Sequence, residues 1–415
     1  MKGFLPIRVS GGILSSVLAI SLVITTLCSS LIILAYYYRK ATIAFMRSDD
    51  LILNARSGLA LLRASPNRSI YRQGRWNDLF EKKQDSVWLQ CKPWGIFDVG
   101  VAKAKRGSDS YQKMALLGYL PDTLTRSALY LSDEQRPLSI SGHTYLKGDC
   151  YLPKAGIKGA YVDQVGYQGE QLVHGSTFAS QPSLPSINQV RLDHLHRVLK
   201  GELPDMIPLM HLEDSITHSF ADPLLYYHNP QSVTIQGVIQ GNVVITSEEA
   251  IFINTQAQLD AIIIAAPRVV VASSFSGRLQ ILATDTLIIG SHCKLSYPSA
   301  LVLLSSSKSS MIIGESTLVH GTVFVTGTDM DYHQRSMKVR NNGILKGMVY
   351  VDGLVELEGN IHGHLSCRKF RYRADNSLYE NHLLNATIDA SQQSPYYCGG
   401  GLWGTINQPE IIQWL

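Results

Sequence analysis

The chain has 415 residues, of which 17% are charged, and its formal net charge is +4. So weak a positive charge, with no dense run of Lys and Arg, argues against nucleic-acid binding, which needs a broad basic face. The six cysteines form no CxxC pair and no zinc-ligand spacing, so no structural zinc is predicted.

The amino-terminal segment carries no charged residue between Arg8 and Arg39. Because about 20 apolar residues can cross a bilayer as a helix, residues 11–38 are predicted to be a transmembrane helix. Three tyrosines at 36–38, followed by Arg39 and Lys40, are typical of a membrane–water interface. A cleaved signal peptide is the alternative, but its apolar core would be shorter than this run.

The helical pattern continues beyond the membrane segment. Apolar residues keep helical spacing to Leu61, and Ser65-Pro66 ends the pattern, so residues 39–64 are predicted to extend the same helix. Residues 1–10 are short and basic, which favours a cytoplasmic amino terminus in a bacterial inner membrane. Most of the chain would then lie in the periplasm or outside the cell.

The end of this helix, residues 54–59 (Asn-Ala-Arg-Ser-Gly-Leu), resembles that of type IV pilins and pseudopilins. In those families a long apolar amino-terminal helix carries a β-rich head. Gly3-Phe4 stands where a prepilin peptidase would cut, but Arg8 occupies the position of the family's Glu. The resemblance therefore implies a membrane protein that accompanies a pilus-like or secretion-like assembly, rather than an ordinary filament subunit.

Residues 65–128 are predicted to form a small antiparallel β head. Strand-like runs at 87–91, 96–102 and 111–120 are separated by turn sequences rich in Gly, Pro, Ser and Asp.

A long series of short apolar strands follows, each closed by Gly, Ser, Asn or Asp, over residues 230–370. Every second strand recurs after about 18 residues, which predicts a right-handed parallel β-helix. Similar strands at 129–184 are predicted to be its first coils. Residues 185–229 are interpreted as a partly helical insertion or cap, and residues 371–415 as a polar tail rich in Tyr and Gly.

The predicted fold class is therefore mainly β: a right-handed parallel β-helix ectodomain with an amino-terminal transmembrane helix and a small antiparallel subdomain. In its short strands and Gly/Asn turns the repeat resembles the bactofilin-like, polymer-forming β-helices. That resemblance implies a structural role and self-association.

Parallel β-helices also host polysaccharide lyases and hydrolases, which set carboxylates side by side. The candidates for such a site are Asp352, Glu356 and Glu358, because paired carboxylates can act as acid and base. The alternation of the strand 354–358 places both glutamates on its solvent face, which favours plain outward positions over a catalytic pair.

Metal and thiol chemistry give weaker candidates. His362 and His364 are two residues apart on a strand, which puts both on one face, but no third ligand accompanies them. Outside the membrane segment, disulfides remain open without a preferred pairing among Cys91, Cys150, Cys293, Cys367 and Cys398. No phosphate loop, nucleophile elbow or dinucleotide fingerprint is present, so no cofactor is predicted.

The sequence thus favours a non-catalytic, membrane-anchored scaffold of a bacterial envelope, pilus-like or secretion-like assembly. Its expected partners are the lipid bilayer, envelope proteins and further copies of itself, without nucleic acid. The alternative is a cell-surface carbohydrate-active enzyme or a glycan-binding adhesin on the same fold.

Overall fold

The computed structural model describes residues 12–65, 68–79, 86–305, 307–328, 331–374, 377–404 and 408–415. The predicted amino-terminal segment 1–10, with Gly3-Phe4 and Arg8, lies outside them. The chain divides into two compact units. The helix unit takes the chain up to Ala60 with Trp76–Leu89 and Ala102–Lys113, and the solenoid unit takes Leu61–Arg75, Gln90–Val101 and Met114–Leu415.

The helices are α1 (Gly12–Ala64) and α2 (Gln189–Lys200), with short 3₁₀ turns at Arg68–Tyr71, Tyr332–Gln334 and Ala390–Gln392. The strands of the amino-terminal part are β1 (Arg75–Asn77), β2 (Ser86–Trp94), β3 (Phe97–Arg106), β4 (Asp109–Tyr119), β5 (Leu129–Leu131), β6 (Leu138–Ser141), β7 (Tyr145–Lys147), β8 (Cys150–Leu152), β9 (Ile157–Gly159), β10 (Tyr161–Val162), β11 (Val165–Gly166) and β12 (Thr177–Ala179). The middle strands are β13 (Met206–Leu209), β14 (Ser215–His218), β15 (Leu224–Asn229), β16 (Val233–Ile235), β17 (Val238–Gly241), β18 (Val243–Ser247), β19 (Ala250–Ile253), β20 (Gln258–Val271), β21 (Ser276–Ile289) and β22 (Lys294–Ser305). The last are β23 (Ser309–Ile313), β24 (Leu318–Gly327), β25 (Arg335–Val339), β26 (Ile344–Leu357), β27 (Asn360–Arg373), β28 (Leu378–Glu380), β29 (His382–Leu384), β30 (Thr387–Asp389) and β31 (Pro409–Trp414).

Helix α1 is long and apolar enough to cross a membrane. The apolar half of α1 is exposed on all sides, whereas one side of the helix is buried from Leu51 onward, with Leu51, Ala55 and Leu59 among the buried residues. Gly58 allows the close approach of the helix to the sheet, because a Cβ there would lie 2.7 Å from Leu89 Cδ2 and 2.9 Å from Val87 Cγ1. The helix therefore docks on the sheet through a small residue.

A small antiparallel sheet has the strand order β1-β2-β3-β4-β31. Its last strand comes from the far end of the chain, and β31 pairs antiparallel with β4 from Pro409 opposite Tyr119 to Trp414 opposite Ala115. The segment interpreted as a polar tail thus contributes an edge strand to the sheet.

The solenoid unit is a parallel β-solenoid of about 12 turns, which confirms the predicted mainly β fold class. Residues of the same kind stack from coil to coil, so each coil covers the apolar end of the one before. One column of residues stacked in register passes through the described coils along one face: Leu209, Tyr227, Ile245, Ile264, Ile281, Leu301, Val323, Val349, Leu365, Leu129, Cys150 and Thr177.

The order of that column differs from the order of the sequence. Strand β5 lies in the segment 129–184, which was interpreted as the first coils, and it pairs in parallel with β27 from the far end of the main repeat. Strand β30 pairs with both β27 and β7, and β29 pairs with β6. Residues 382–389 therefore complete the coil that β5 begins.

The stack starts inside the segment interpreted as an insertion. Strand β13 pairs with β15 and forms the first coil, while α2 accounts for the helical pattern of that segment. Asn188 caps α2 by accepting a hydrogen bond from the backbone N–H of Arg191, and Gly201 ends it in the left-handed region at φ +70°.

Candidate functional site: ion pairs between the coils

Glu356 lies between two basic side chains of neighbouring coils. Arg371 on β27 approaches it at 2.7 Å, and Lys338 on β25 at 3.5 Å. The same Lys338 contacts Glu358 at 2.7 Å. The strand register sets Lys338 directly opposite Glu356, so the parallel ladder itself brings these charges together.

Asp352 occupies a bend of β26 and is held in the same way. Its carboxylate accepts from Arg335 at 3.1 Å and from Arg368 at 2.7 Å. Arg335 also donates from Nε to the backbone oxygen of Asp352 at 2.7 Å. Because the Arg335 side chain is only 2% exposed, its charge is stabilised in the interior by this carboxylate and carbonyl.

All three predicted carboxylates lie in ion pairs between strands. Asp352, Glu356 and Glu358 are each paired with basic side chains, and Asp352 and Glu356 each bridge two residues of other strands. One pocket in the described part of the chain lies away from these carboxylates and is lined in part by Tyr119, Asp122 and Trp403. The ion pairs of Asp352 and Glu356 connect neighbouring coils to one another.

The two candidate histidines lie on either side of a bend at Gly363, where φ is +143°. His364 is buried, with Nδ1 2.9 Å from the carbonyl oxygen of Ser127 and Nε2 2.6 Å from Ser366 Oγ. Burial lowers the pKa of His364 to about 4, and it lowers that of the half-buried His362 as well. Within the described ranges, no group of three or more His, Cys, Asp or Glu is placed to hold a metal ion.

The cysteines are free thiols in the structure. Cys28 is exposed on α1, and the others are buried. Burial raises the pKa of Cys150 to about 12 and that of Cys398 to about 11, which keeps both thiols protonated and unreactive.

A buried polar cluster, which the sequence patterns did not indicate, is formed by Asp98, Tyr119 and Arg191. Arg191 on α2 contacts Asp98 at 2.8 Å and donates to the carbonyl oxygen of Phe97 at 2.7 Å. The hydroxyl of Tyr119 donates to the same carboxylate. The side chains of Arg191 and Asp98 are 8% and 10% exposed, so this buried ion pair connects α2 to β3, and the hydrogen bond of Tyr119 adds β4.

A second missed cluster joins the early coils to the main repeat. Lys369 on β27 is buried and contacts Glu134, in the loop after β5, at 2.8 Å. It also approaches Glu380 at 3.4 Å, and Tyr332 donates its hydroxyl to Glu134. The signal available in the sequence was a lysine inside a strand, which needs a carboxylate partner when buried.

The fold and these contacts define a class of protein: a β-solenoid with a small antiparallel sheet and one amino-terminal helix apolar enough for a membrane. No protein-family model, curated protein or solved structure matches the chain. The pilin-like and bactofilin-like resemblances thus rest on the residues quoted for them alone.

Proposed function

We propose that this protein is a non-catalytic, membrane-anchored scaffold of a bacterial envelope, pilus-like or secretion-like assembly. Helix α1 anchors it in the cytoplasmic membrane, with the amino terminus in the cytoplasm. The solenoid stands in the periplasm or outside the cell and presents a rigid stack of strands to partner proteins. An apolar helix flanked by basic residues and interface tyrosines supports this placement.

The observation that carries the non-catalytic role is the pairing of the predicted carboxylates. An acid–base pair of a lyase or hydrolase must face its substrate in a cleft. Glu356 is only 12% exposed in its side chain and is flanked by Arg371 and Lys338. Such a residue contributes to the cohesion of the coils, which is what a scaffold requires.

Replacing Glu356 with Gln tests this role. The substitution keeps the size of the side chain but leaves Arg371, with its side chain 24% exposed, without its carboxylate. We expect the free energy of unfolding to fall by about 1–3 kcal/mol. Urea unfolding of the detergent-solubilised full chain would measure it.

The matched control is Glu248→Gln. That carboxylate is 68% exposed and lies 3.5 Å from His228, so its removal should change the free energy of unfolding by no more than about 0.5 kcal/mol. A catalytic carboxylate is held at a cost to stability. An E356Q protein as stable as the wild type, or more stable, would therefore contradict the scaffold role.

A further inference from the structure

The last coil of the solenoid leaves a strand edge open. Strand β12 pairs with β8 on one side, and the described residues place no strand on its other side. Thr177, Phe178 and Ala179 are all exposed, Phe178 to 45%. An open edge of this kind is a template for another strand.

The hydrogen bonds on the paired side show which groups remain available. Cys150 N–H donates to Ser176 O, and Ser180 N–H donates to Leu152 O, both at 2.8 Å. In a parallel ladder alternate residues bond to one neighbour, so the even-numbered residues here face β8. The N–H and C=O groups of the two end residues of β12 therefore point to the open edge.

Aromatic rings lead along the outer surface to the same edge. Tyr130 stacks on Tyr151 with ring centroids 5.6 Å apart, and Tyr151 stacks on Phe178 at 5.1 Å. The interplanar angles are 27° and 26°. Each ring covers the next, and Phe178 is the last of the series, so a further ring on its outer side would continue the stack.

The opposite end of the solenoid is blunted. In β15, Leu225 N–H donates to Asn242 O toward β18, so the even-numbered residues of β15 face β13. The register sets Ile207 opposite Leu225, which turns Ile207 toward β15 and Pro208 toward the open edge. Because proline has no N–H, β13 cannot offer a full ladder to another strand.

We infer that two copies of the chain pair through β12, in antiparallel orientation, with Phe178 opposite Phe178 of the second copy. In this register Thr177 lies opposite Ala179 of the second copy. The backbone N–H and C=O groups of these two residues that point to the open edge all form hydrogen bonds between the copies. The two Phe178 residues form the non-hydrogen-bonded pair, in which side chains approach most closely. Residues 176–180 carry no charge, so the two paired strands bring no like charges together across the twofold axis.

The pairing rests on the proposed membrane anchoring. Three residues on each side bury far less than the roughly 1,200 Å² of a stable interface between freely diffusing proteins. Anchoring both copies in one bilayer raises their local concentration and compensates for the small contact. The dimer is therefore expected in membranes and dissociates in dilute detergent.

The test is disulfide trapping with Phe178→Cys in a Cys28→Ser background, since the other cysteines are buried. In the non-hydrogen-bonded pair the two Cα atoms lie about 4.5 Å apart, within the range of a disulfide. Mild oxidation of membranes that hold the full chain should convert most of F178C into a covalent dimer. Thr177→Cys is the matched control, because the Thr177 residues of the two copies are diagonal neighbours across the ladder, about 7–8 Å apart, and their side chains point into the solenoid.

The yields of covalent dimer from the two variants test the pairing. Dimer from F178C with at least tenfold less from T177C supports the pairing, whereas equal yields or no dimer overturn it. Alkaline carbonate extraction of the same membranes separates the two proposals. Release of the chain by carbonate counts against the anchor, while retention without F178C dimer counts against the pairing alone.

Discussion

Gln280 connects the solenoid to the turn between β2 and β3. The side chain is 1% exposed. Its Oε1 accepts from the backbone N–H of Ile96 at 2.8 Å, and its Nε2 donates to the carbonyl oxygen of Trp94 at 3.2 Å. The turn approaches so closely that a Cβ on Gly95 would lie 2.1 Å from Gln280 Oε1. One amide therefore satisfies both backbone groups of the turn.

Replacing Gln280 with Met keeps the length of the side chain but removes both hydrogen bonds. The N–H of Ile96 and the carbonyl of Trp94 are then buried without partners, at about 1–3 kcal/mol each. We expect local opening of the turn to become easier by about 2 kcal/mol or more. At about 1.4 kcal/mol per tenfold change, this corresponds to roughly 30-fold faster hydrogen exchange.

Hydrogen exchange followed by mass spectrometry on peptides covering residues 92–97 measures the effect in the full chain. Gln258→Met is the matched control, because the side chain of Gln258 is exposed on the adjacent strand and its loss should leave these peptides unchanged. If exchange of the turn in Q280M equals that of the wild type, the amide does not hold the turn and the reasoning fails.

Two further predictions concern a buried histidine and a packed glycine. Burial lowers the pKa of His364 to about 4, from an ordinary 6.5, so the unfolded chain takes up the proton first as the pH falls. The stabilisation that neutral His364 gives the folded state is complete above pH 6.5 and should decrease by about 3 kcal/mol as the pH falls to 4. Urea unfolding at a series of pH values should therefore show a weaker pH dependence of the free energy of unfolding in His364→Asn than in the wild type. Equal pH dependences in the two proteins would contradict this. Gly58→Val should destabilise the packing of α1 by about 1–3 kcal/mol, because the larger side chain overpacks against Val87 and Leu89. Faster tryptic cleavage after Arg56 would measure this effect. Gly12→Ala, with open space around it, should show no such change.

The fold class could be predicted because its signals are local. An uncharged apolar run predicts a membrane-compatible helix, and α1 has that character. Short strands recurring at a fixed period predict a solenoid, and the stacked registers of β18, β20 and β21 have that form. Neither inference needs knowledge of distant contacts.

The order of the coils could not be predicted in this way. The repeat pattern identifies a segment as a coil but does not say which coil lies next to it. Leu129 pairs with Leu365, more than half of the chain away, and both have the apolar character of any interior position. Sequence proximity was therefore a poor guide to stacking at this end of the solenoid.

The same limit applies to the candidate site. Alternation along residues 354–358 indicated that Glu356 and Glu358 point outward, but their partners depend on the register between coils. Arg371 meets Glu356 because a neighbouring strand sets it there, and Arg191 meets Asp98 from a distant helix. Interactions of this kind follow from pairings that periodicity leaves undetermined.

The displaced coils also have a consequence for synthesis on the ribosome. Strands β5 and β7 emerge early, yet the strands that cover them, β27 and β30, lie roughly 240 residues later. At about 5–20 residues per second, the early strands wait on the order of 10–50 s for their neighbours. During that interval their apolar faces and open edges are exposed to other nascent chains, so this solenoid closes only when its final strands are made.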